Sequence, residues 1–134
     1  MQEHGYFTIE INEQTLIVNC YESWNIETVL RLCQEYKEQV AQIYDKPWAC
    51  LVDLSQWELA TPDMWDEINK LNHWGNWHNQ KYEAVICNMS IQKKLMVDSH
   101  AALTNVETAF FENKHQAHQW LSQLGLFSMA TAKC

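Results

Sequence analysis

The stretch that decides the fold is Cys50-Leu-Val-Asp-Leu-Ser-Gln-Trp-Glu-Leu-Ala-Thr-Pro-Asp-Met-Trp65, near the middle of a chain of 134 residues. Residues 48–54 are nearly all apolar, which is typical of a central strand covered on both faces. A short polar bend is expected next. A helix then begins, because Thr61 suits the N-cap, Pro62 the first helical position and Asp63 the positive end of the helix dipole. The stretch therefore predicts a buried strand that leads into a capped helix.

The residues before this stretch predict a hairpin and one helix. Residues 6–11 alternate apolar and polar side chains, and residues 15–21 form a second apolar run after a short turn. So short a connection joins antiparallel strands. A helix is predicted from Asn25 to about Tyr44, and Pro47 stops the chain from continuing it. Its apolar positions, spaced by three and four, are Ile26, Val29, Leu30, Cys33, Tyr36, Val40 and Ile43.

The residues after this stretch repeat the strand-then-helix pattern. Predicted strands cover residues 82–87 and 107–111, and predicted helices cover residues 62–74, 90–102 and 114–124. Gly75 and Gly125 stand where helices end. The order β-β-α-β-α-β-α-β-α predicts an α/β single domain. It has a mixed sheet, with an N-terminal antiparallel hairpin followed by mostly parallel strands, and about four packed helices. We assign residues 1–125 to this domain and residues 126–134 to a loosely held C-terminal tail.

Composition excludes several classes of protein. Nine basic against seventeen acidic residues give a net charge of −8, which opposes nucleic-acid binding and limits membrane contact to a peripheral one. No apolar run approaches the roughly 20 residues of a membrane span, and the N-terminus lacks the features of a signal peptide. Five cysteines without a Cys-x-x-Cys pair predict reduced, packed thiols. We therefore predict a cytoplasmic protein.

The element order and three motifs resemble the STAS fold of anti-sigma-factor antagonists, and more narrowly the SpoIIAA-like family of small bacterial proteins. The resemblance covers roughly residues 5–124. The motifs are Asp53-Leu54-Ser55 followed by Trp57, then Thr61-Pro62-Asp63-Met64-Trp65, and finally Phe111-Glu112-Asn113-Lys114 with Ala117 and Trp120-Leu121.

The resemblance implies two kinds of non-enzymatic binding module. Through its similarity in shape to CRAL-TRIO domains, the narrower family implies a non-polar, lipid-like small ligand. Anti-sigma-factor antagonists instead imply a protein partner and a switch, because they carry a phosphorylated serine in Asp-Ser-Ser-Gly after the strand. Here the acid of Asp63 stands at that serine position, which predicts a loop held in one state. The hypothetical regulatory loop comprises Ser55, Thr61 and Asp63.

The second predicted helix carries more apolar surface than one buried stripe needs. Either this is ordinary packing with one exposed tryptophan, or the tryptophans form a movable lid over an apolar pocket with Gly75 as its flexible point. The hypothetical ligand-binding residues are Met64, Trp65, Ile68, Trp74, Trp77 and Met96. Exposed aromatic side chains also favour a homodimer that covers them.

No pattern in the chain predicts catalysis, a metal or a cofactor. His115 and His118 lie three residues apart, and His73 and His78 flank Gly75, but no further ligand is placed to converge with either pair. The available nucleophiles, Ser55, Ser90 and Cys87, do not lie in a strained Gly-x-Ser-x-Gly turn or a similar setting. We therefore predict a binding module for a non-polar small molecule, with a protein-interaction module as the competing hypothesis.

Overall fold

The structure is a computed structural model that describes residues 5–60, 62–87 and 104–129. Its five strands are β1 (Tyr6–Asn12), β2 (Thr15–Trp24), β3 (Trp48–Ala60), β4 (Gln80–Ile86) and β5 (Glu107–Phe111). The helices in these ranges are α1 (Ile26–Val40), α2 (Pro62–Asn76) and α3 (Lys114–Gln123). The helix predicted over residues 90–102 lies outside the described residues, as do Met96 and Thr61.

The strands form one sheet in the order β1-β2-β3-β4-β5. The β1–β2 pair is antiparallel, whereas the β2–β3, β3–β4 and β4–β5 pairs are parallel. Two residues connect β1 to β2, and each parallel pair is joined by a longer crossover, as parallel pairing requires. The predicted α/β fold with a hairpin and parallel strands is confirmed.

The sheet has two differently covered faces, because successive side chains of a strand point to opposite sides. On the first face, Trp48, Cys50 and Leu54 of β3 pack in a large core beneath α1 and α2. On the second face, Leu51 joins a smaller cluster beneath α3. In that cluster the small side chains of Ala49, Ala84 and Ala117 bring α3 close to β3, β4 and β5. Among the described helices, α3 is the one that covers the second face.

Strand β3 is longer than its apolar run, so the predicted polar bend after Leu54 is wrong. Asn19 of β2 pairs with Asp53, but Tyr21 pairs with Gln56, so β3 contains one extra residue at a β-bulge. The strand continues beyond the bulge because β2 also continues, to Trp24. Buried Trp57 packs against Trp24 there, with ring centroids 5.7 Å apart.

Helix α1 starts where the sequence predicts, but its buried face and its end differ. The Asn25 side chain accepts a hydrogen bond from Thr28 N at 3.2 Å, which confirms the N-cap. The helix ends at Val40, and turns follow. Leu30 is 47% exposed and Leu32 only 6%, so the predicted apolar stripe was wrong at Leu30. The stripe that meets the sheet is centred on Val29, Leu32, Tyr36 and Val40.

Helix α2 continues past its predicted end. Gly75 lies inside the helix, which ends at Asn76. An alanine Cβ at position 75 would overlap Gln80 Oε1, so the absence of a side chain is needed for close approach. The predicted flexible point therefore lies in a buried, packed segment.

The segment that follows α3 is held against the hairpin. Gly125 takes φ +76°, the left-handed conformation expected at a helix C-terminus. Gln14 N and Thr15 Oγ1 donate to Leu126 O at 3.1 and 2.7 Å. Phe127 is 4% exposed and completes the second-face cluster. Leu126 and Phe127 are therefore held against the hairpin and the apolar second face, whereas the boundary of the domain at residue 125 stays a prediction.

Candidate functional site

The candidate site lies at the carboxyl edge of the sheet, which we define as the edge where β2, β3, β4 and β5 end. Ligands of open α/β sheets commonly bind at this edge. Asp53 lies here with only 6% of its surface exposed. Its Oδ1 accepts hydrogen bonds from Ser55 N at 2.9 Å and from Ser55 Oγ at 2.6 Å. The bulge in β3 thus folds Ser55 back onto the buried carboxylate.

The positive partner of Asp53 comes from α3. Lys114, the first residue of that helix, places Nζ at 3.6 Å from Asp53 Oδ2. Asn113 caps the helix by accepting a hydrogen bond from Gln116 N at 3.0 Å, which orients its first turn over the sheet. Because the Lys114 side chain is 54% exposed, the ion pair leaves this side of the site accessible to solvent.

Two cavities meet at Asp53. The first, about 360 Å³, runs over the second face between β1 and α3, with Glu10 and His118 on opposite sides. The second, about 330 Å³, lies at the carboxyl edge beside Ser55 and Gln56. Four residues line both cavities: Asn19, Asp53, Ile86 and Lys114. The two spaces therefore form one groove, which we call the Asp53 groove.

His118 lies on the wall of this groove and stacks on Phe127, with ring centroids 4.5 Å apart. Its pKa is lowered by burial first, and further by the positive charges of Lys114 and His115, although Asp53 opposes this effect. His118 is therefore neutral near pH 7, where it offers one hydrogen-bond donor and one acceptor.

The two described residues of the predicted regulatory loop, Ser55 and Asp63, lie on regular elements. Ser55 is exposed on β3 at the carboxyl edge. Asp63 is exposed in the first turn of α2, where a negative charge complements the helix dipole. Thr61 lies outside the described residues.

The predicted ligand-binding residues that the structure describes do not line one cavity. Met64 is fully buried, and Trp65 packs against Trp57 with ring centroids 6.0 Å apart. Trp74 stacks on His78 at 4.2 Å, whereas Trp77 is 68% exposed.

An apolar cavity between the sheet and helices α1 and α2 measures about 60 Å³, and of the predicted ligand-binding residues that the structure describes, Ile68 lines it. Small-molecule sites usually measure about 300–1,000 Å³. Ligand binding by this set of residues stays a prediction, without a cavity of suitable size around it in the described residues.

Sequence reasoning did not assign Asn19, Lys114 or His118 to a site, although the groove depends on all three. A signal was present in Asp53, which interrupts an apolar strand. An acid at the end of a central parallel strand points to the carboxyl edge, where such residues often serve ligands.

Two of the buried cysteines, Cys20 and Cys50, lack the character of reactive thiols. Burial raises the pKa of the Cys20 thiol above its ordinary value, and the negative charge of Asp53 adds to the effect. Burial likewise raises the pKa of Cys50, with Glu83 as the next cause. Both thiols therefore stay protonated at neutral pH.

Within residues 5–60, 62–87 and 104–129, no helix has the length and apolarity that crossing a membrane requires. Within the same ranges, three or more His, Cys, Asp or Glu side chains do not come together as a metal-binding group.

Comparisons with known proteins identify the fold. No family model matches the chain, and no curated protein matches it. An uncharacterized DUF3478-family protein with a SpoIIAA-like fold from Shewanella loihica PV-4 is 18% identical, with a TM-score of 0.72 over 90% of this chain and 98% of that one.

Two anti-sigma factor antagonists are also similar in structure. SpoIIAA in its unphosphorylated form is 5% identical, with a TM-score of 0.62 over 89% of this chain and 97% of that one. An antagonist from Mycobacterium paratuberculosis is 12% identical, with a TM-score of 0.58 and coverages of 89% and 95%. This chain therefore has a SpoIIAA-like fold, as its motifs predict.

Proposed function

We propose that this protein is a non-enzymatic interaction module that binds a partner protein through the carboxyl edge of its sheet. One observation carries the proposal: the bulged extension of β3 presents Ser55, Gln56 and Glu58 to solvent in succession. Buried Trp57 anchors the same segment from behind, so this surface is held in place before a partner arrives. Such preorganisation reduces the entropy lost on association.

The similarity to two anti-sigma factor antagonists supports this proposal over the non-polar ligand. A lipid carrier needs an enclosed apolar space, and the apolar cavity on the first face is about 60 Å³. A partner protein needs only an accessible surface with directional polar groups, which the β3 extension supplies.

We further propose that the charge state of Ser55 regulates this contact. Its hydroxyl donates to Asp53, and Lys114 lies on the other side of that carboxylate. A phosphate on Ser55 would remove the donated hydrogen bond and add a charge of about −1.5 to −2 beside Asp53. Repulsion from Asp53 and attraction to Lys114 would then redirect the side chain, so the surface offered to a partner would change.

Site-specific photocrosslinking tests the proposed surface. A photoreactive residue at Gln56 should capture a defined protein in the cells that encode this chain. The same residue at exposed Glu38 on α1 serves as the control and should not capture it. With the captured protein purified, Ser55→Glu should weaken binding at least several-fold, and Ser55→Ala should weaken it less.

Two results together would overturn the proposal. One is equal labelling from positions 56 and 38. The other is a native mass spectrum, of protein isolated from its own host, that shows the bare chain alone.

A further inference from the structure

The Asp53 groove has the dimensions and floor of a small-molecule site. Its two cavities, about 360 and 330 Å³, each exceed the lower limit of about 300 Å³ that is usual for such sites. Its floor is apolar, because Ile17, Leu51 and Ile86 line the first cavity and are themselves buried in the second-face cluster. An apolar ligand body of about the size of a phenyl ring is therefore accommodated there.

The charges around the groove favour a cation. Among the residues that the structure describes, four carboxylates line it, those of Glu10, Glu13, Asp53 and Glu112, against the one ammonium group of Lys114. A negative ligand would meet this surplus of negative charge at short range, whereas a positive one would be attracted.

A second, independent observation concerns the hydrogen bonds of Asp53. Both hydrogen bonds from Ser55 reach Oδ1. Oδ2 faces the Lys114 ammonium at 3.6 Å, which is an ion pair but exceeds hydrogen-bond length. The Asp53 side chain is 7% exposed, and buried carboxylate oxygens ordinarily have hydrogen-bond donors. Asp53 lines both cavities, and its Oδ2 accepts no hydrogen bond from the described residues, so an incoming N–H group can use this oxygen as an acceptor.

Lys114 does not prevent that use. Its side chain is 54% exposed, so the ammonium group can move into water while a ligand ammonium approaches Oδ2. A bound amine would thus compete with Lys114 for Asp53, and a bound carboxylate would instead need Lys114. Removal of Lys114 should consequently raise the affinity for an amine and lower the affinity for a carboxylate.

We propose that the Asp53 groove binds a small organic cation, in which an amine donates to Asp53 Oδ2 and an apolar body lies over Ile17, Leu51 and Ile86. The groove adjoins the proposed protein-binding surface at Ser55 and Gln56, but the inference does not depend on a protein partner. A ligand of this class would reach the groove from the open side between β1 and α3.

The probe is 2-phenylethylamine, titrated into the full chain and followed by ¹H–¹⁵N NMR shifts. The matched neutral and anionic probes are 2-phenylethanol and 3-phenylpropionate. The amine should shift amides around Asp53 and bind most tightly of the three. Asp53→Asn should weaken its binding by roughly tenfold or more, since one hydrogen bond to a charged group is lost. Asp45→Asn, which removes an equal charge from an exposed turn, should change the affinity less than about twofold.

Lys114→Ala gives the sharpest result, because it changes a side chain that is 54% exposed and leaves Asp53 and the apolar floor in place. It should tighten amine binding by roughly threefold, because the competing ammonium is absent. Tighter binding of 3-phenylpropionate than of the amine would overturn the proposal, as would weaker amine binding by Lys114→Ala. Equal losses in the Asp53 and Asp45 variants would also overturn it, since they would indicate general attraction to an acidic protein. If Asp53→Asn does not fold, the change in amine affinity of the Lys114→Ala variant tests the proposal by itself.

Discussion

Replacing Gly75 with alanine should destabilise the protein, although alanine is the better helix former. Inside a helix such as α2, this replacement ordinarily adds about 0.5–1 kcal/mol to the free energy of unfolding. Here the new Cβ would overlap Gln80 Oε1. The next neighbours, Gln80 Cδ at 3.6 Å and Trp48 Cη2 at 3.7 Å, are in ordinary contact. A single atom therefore opposes the substitution.

That atom cannot move freely. Gln80 is fully buried, and its Nε2 donates to Glu83 Oε1 at 2.9 Å in the interior. Overpacking in a core costs about 1–3 kcal/mol, and losing a buried hydrogen bond to a carboxyl group costs a similar amount. The higher helix propensity of alanine offsets part of this cost. We therefore expect Gly75→Ala to lower the free energy of unfolding by about 1–2 kcal/mol.

Urea unfolding of a double-mutant cycle measures this effect. In a Gln80→Ala background the opposing oxygen is absent, so Gly75→Ala should raise the free energy of unfolding by about 0.5–1 kcal/mol relative to that background. The sign of the Gly75 effect should thus reverse. Stabilisation by Gly75→Ala in the wild-type chain would refute the reasoning. It would mean that the Gln80 amide can move away from the new Cβ without loss of folding free energy. Destabilisation in both backgrounds would place the clash elsewhere.

Three further predictions concern a cap, a titrating group and the thiols. Asn113→Ala should lower the free energy of unfolding by about 1 kcal/mol in urea titrations, and Asn113→Ser should restore most of it. The lowered pKa of His118 means that the folded chain binds fewer protons than the unfolded one as pH falls through about 6.5, so stability should fall there. His118→Phe should reduce that loss in thermal melts, and an unchanged pH dependence would contradict the assignment. Iodoacetamide at pH 8 should label Cys20 and Cys50 much more slowly in the native chain than in urea, as peptide mapping can determine, and equal rates would refute their burial.

The order of elements was predictable because its signals are local. Asn113 accepts the capping hydrogen bond that its position predicts, and Gly125 takes the left-handed conformation that its position predicts. The end of β3 was not predictable in the same way. Trp57 extends the strand only because Trp24 of β2 lies beside it, and this pairing spans residues far apart in sequence.

The candidate site was predictable only in part, for the same reason. Asp53 and Ser55 belong to one strand, so their proximity follows from sequence. Lys114 joins them from α3, and which face α3 covers cannot be inferred from its own residues. The aromatic residues near α2 could not be assigned from sequence, because ordinary packing and a ligand site use the same side chains. In the structure Trp74 is stacked on His78.

The groove beside Asp53 follows from the topology of the sheet. Right-handed crossovers between parallel strands that advance in one direction place their helices on one face, and α1 and α2 both lie on the first face. The second face receives the chain that follows β5. Helix α3 has ten residues and contacts β3, β4 and β5, so it leaves the β1–β2 side uncovered. The segment around Phe127 covers one part of that side, and the groove is the part that remains. A buried carboxylate beneath an open groove is costly unless donors reach it. A ligand that binds on this face would therefore stabilise the site most by donating a hydrogen bond to Asp53.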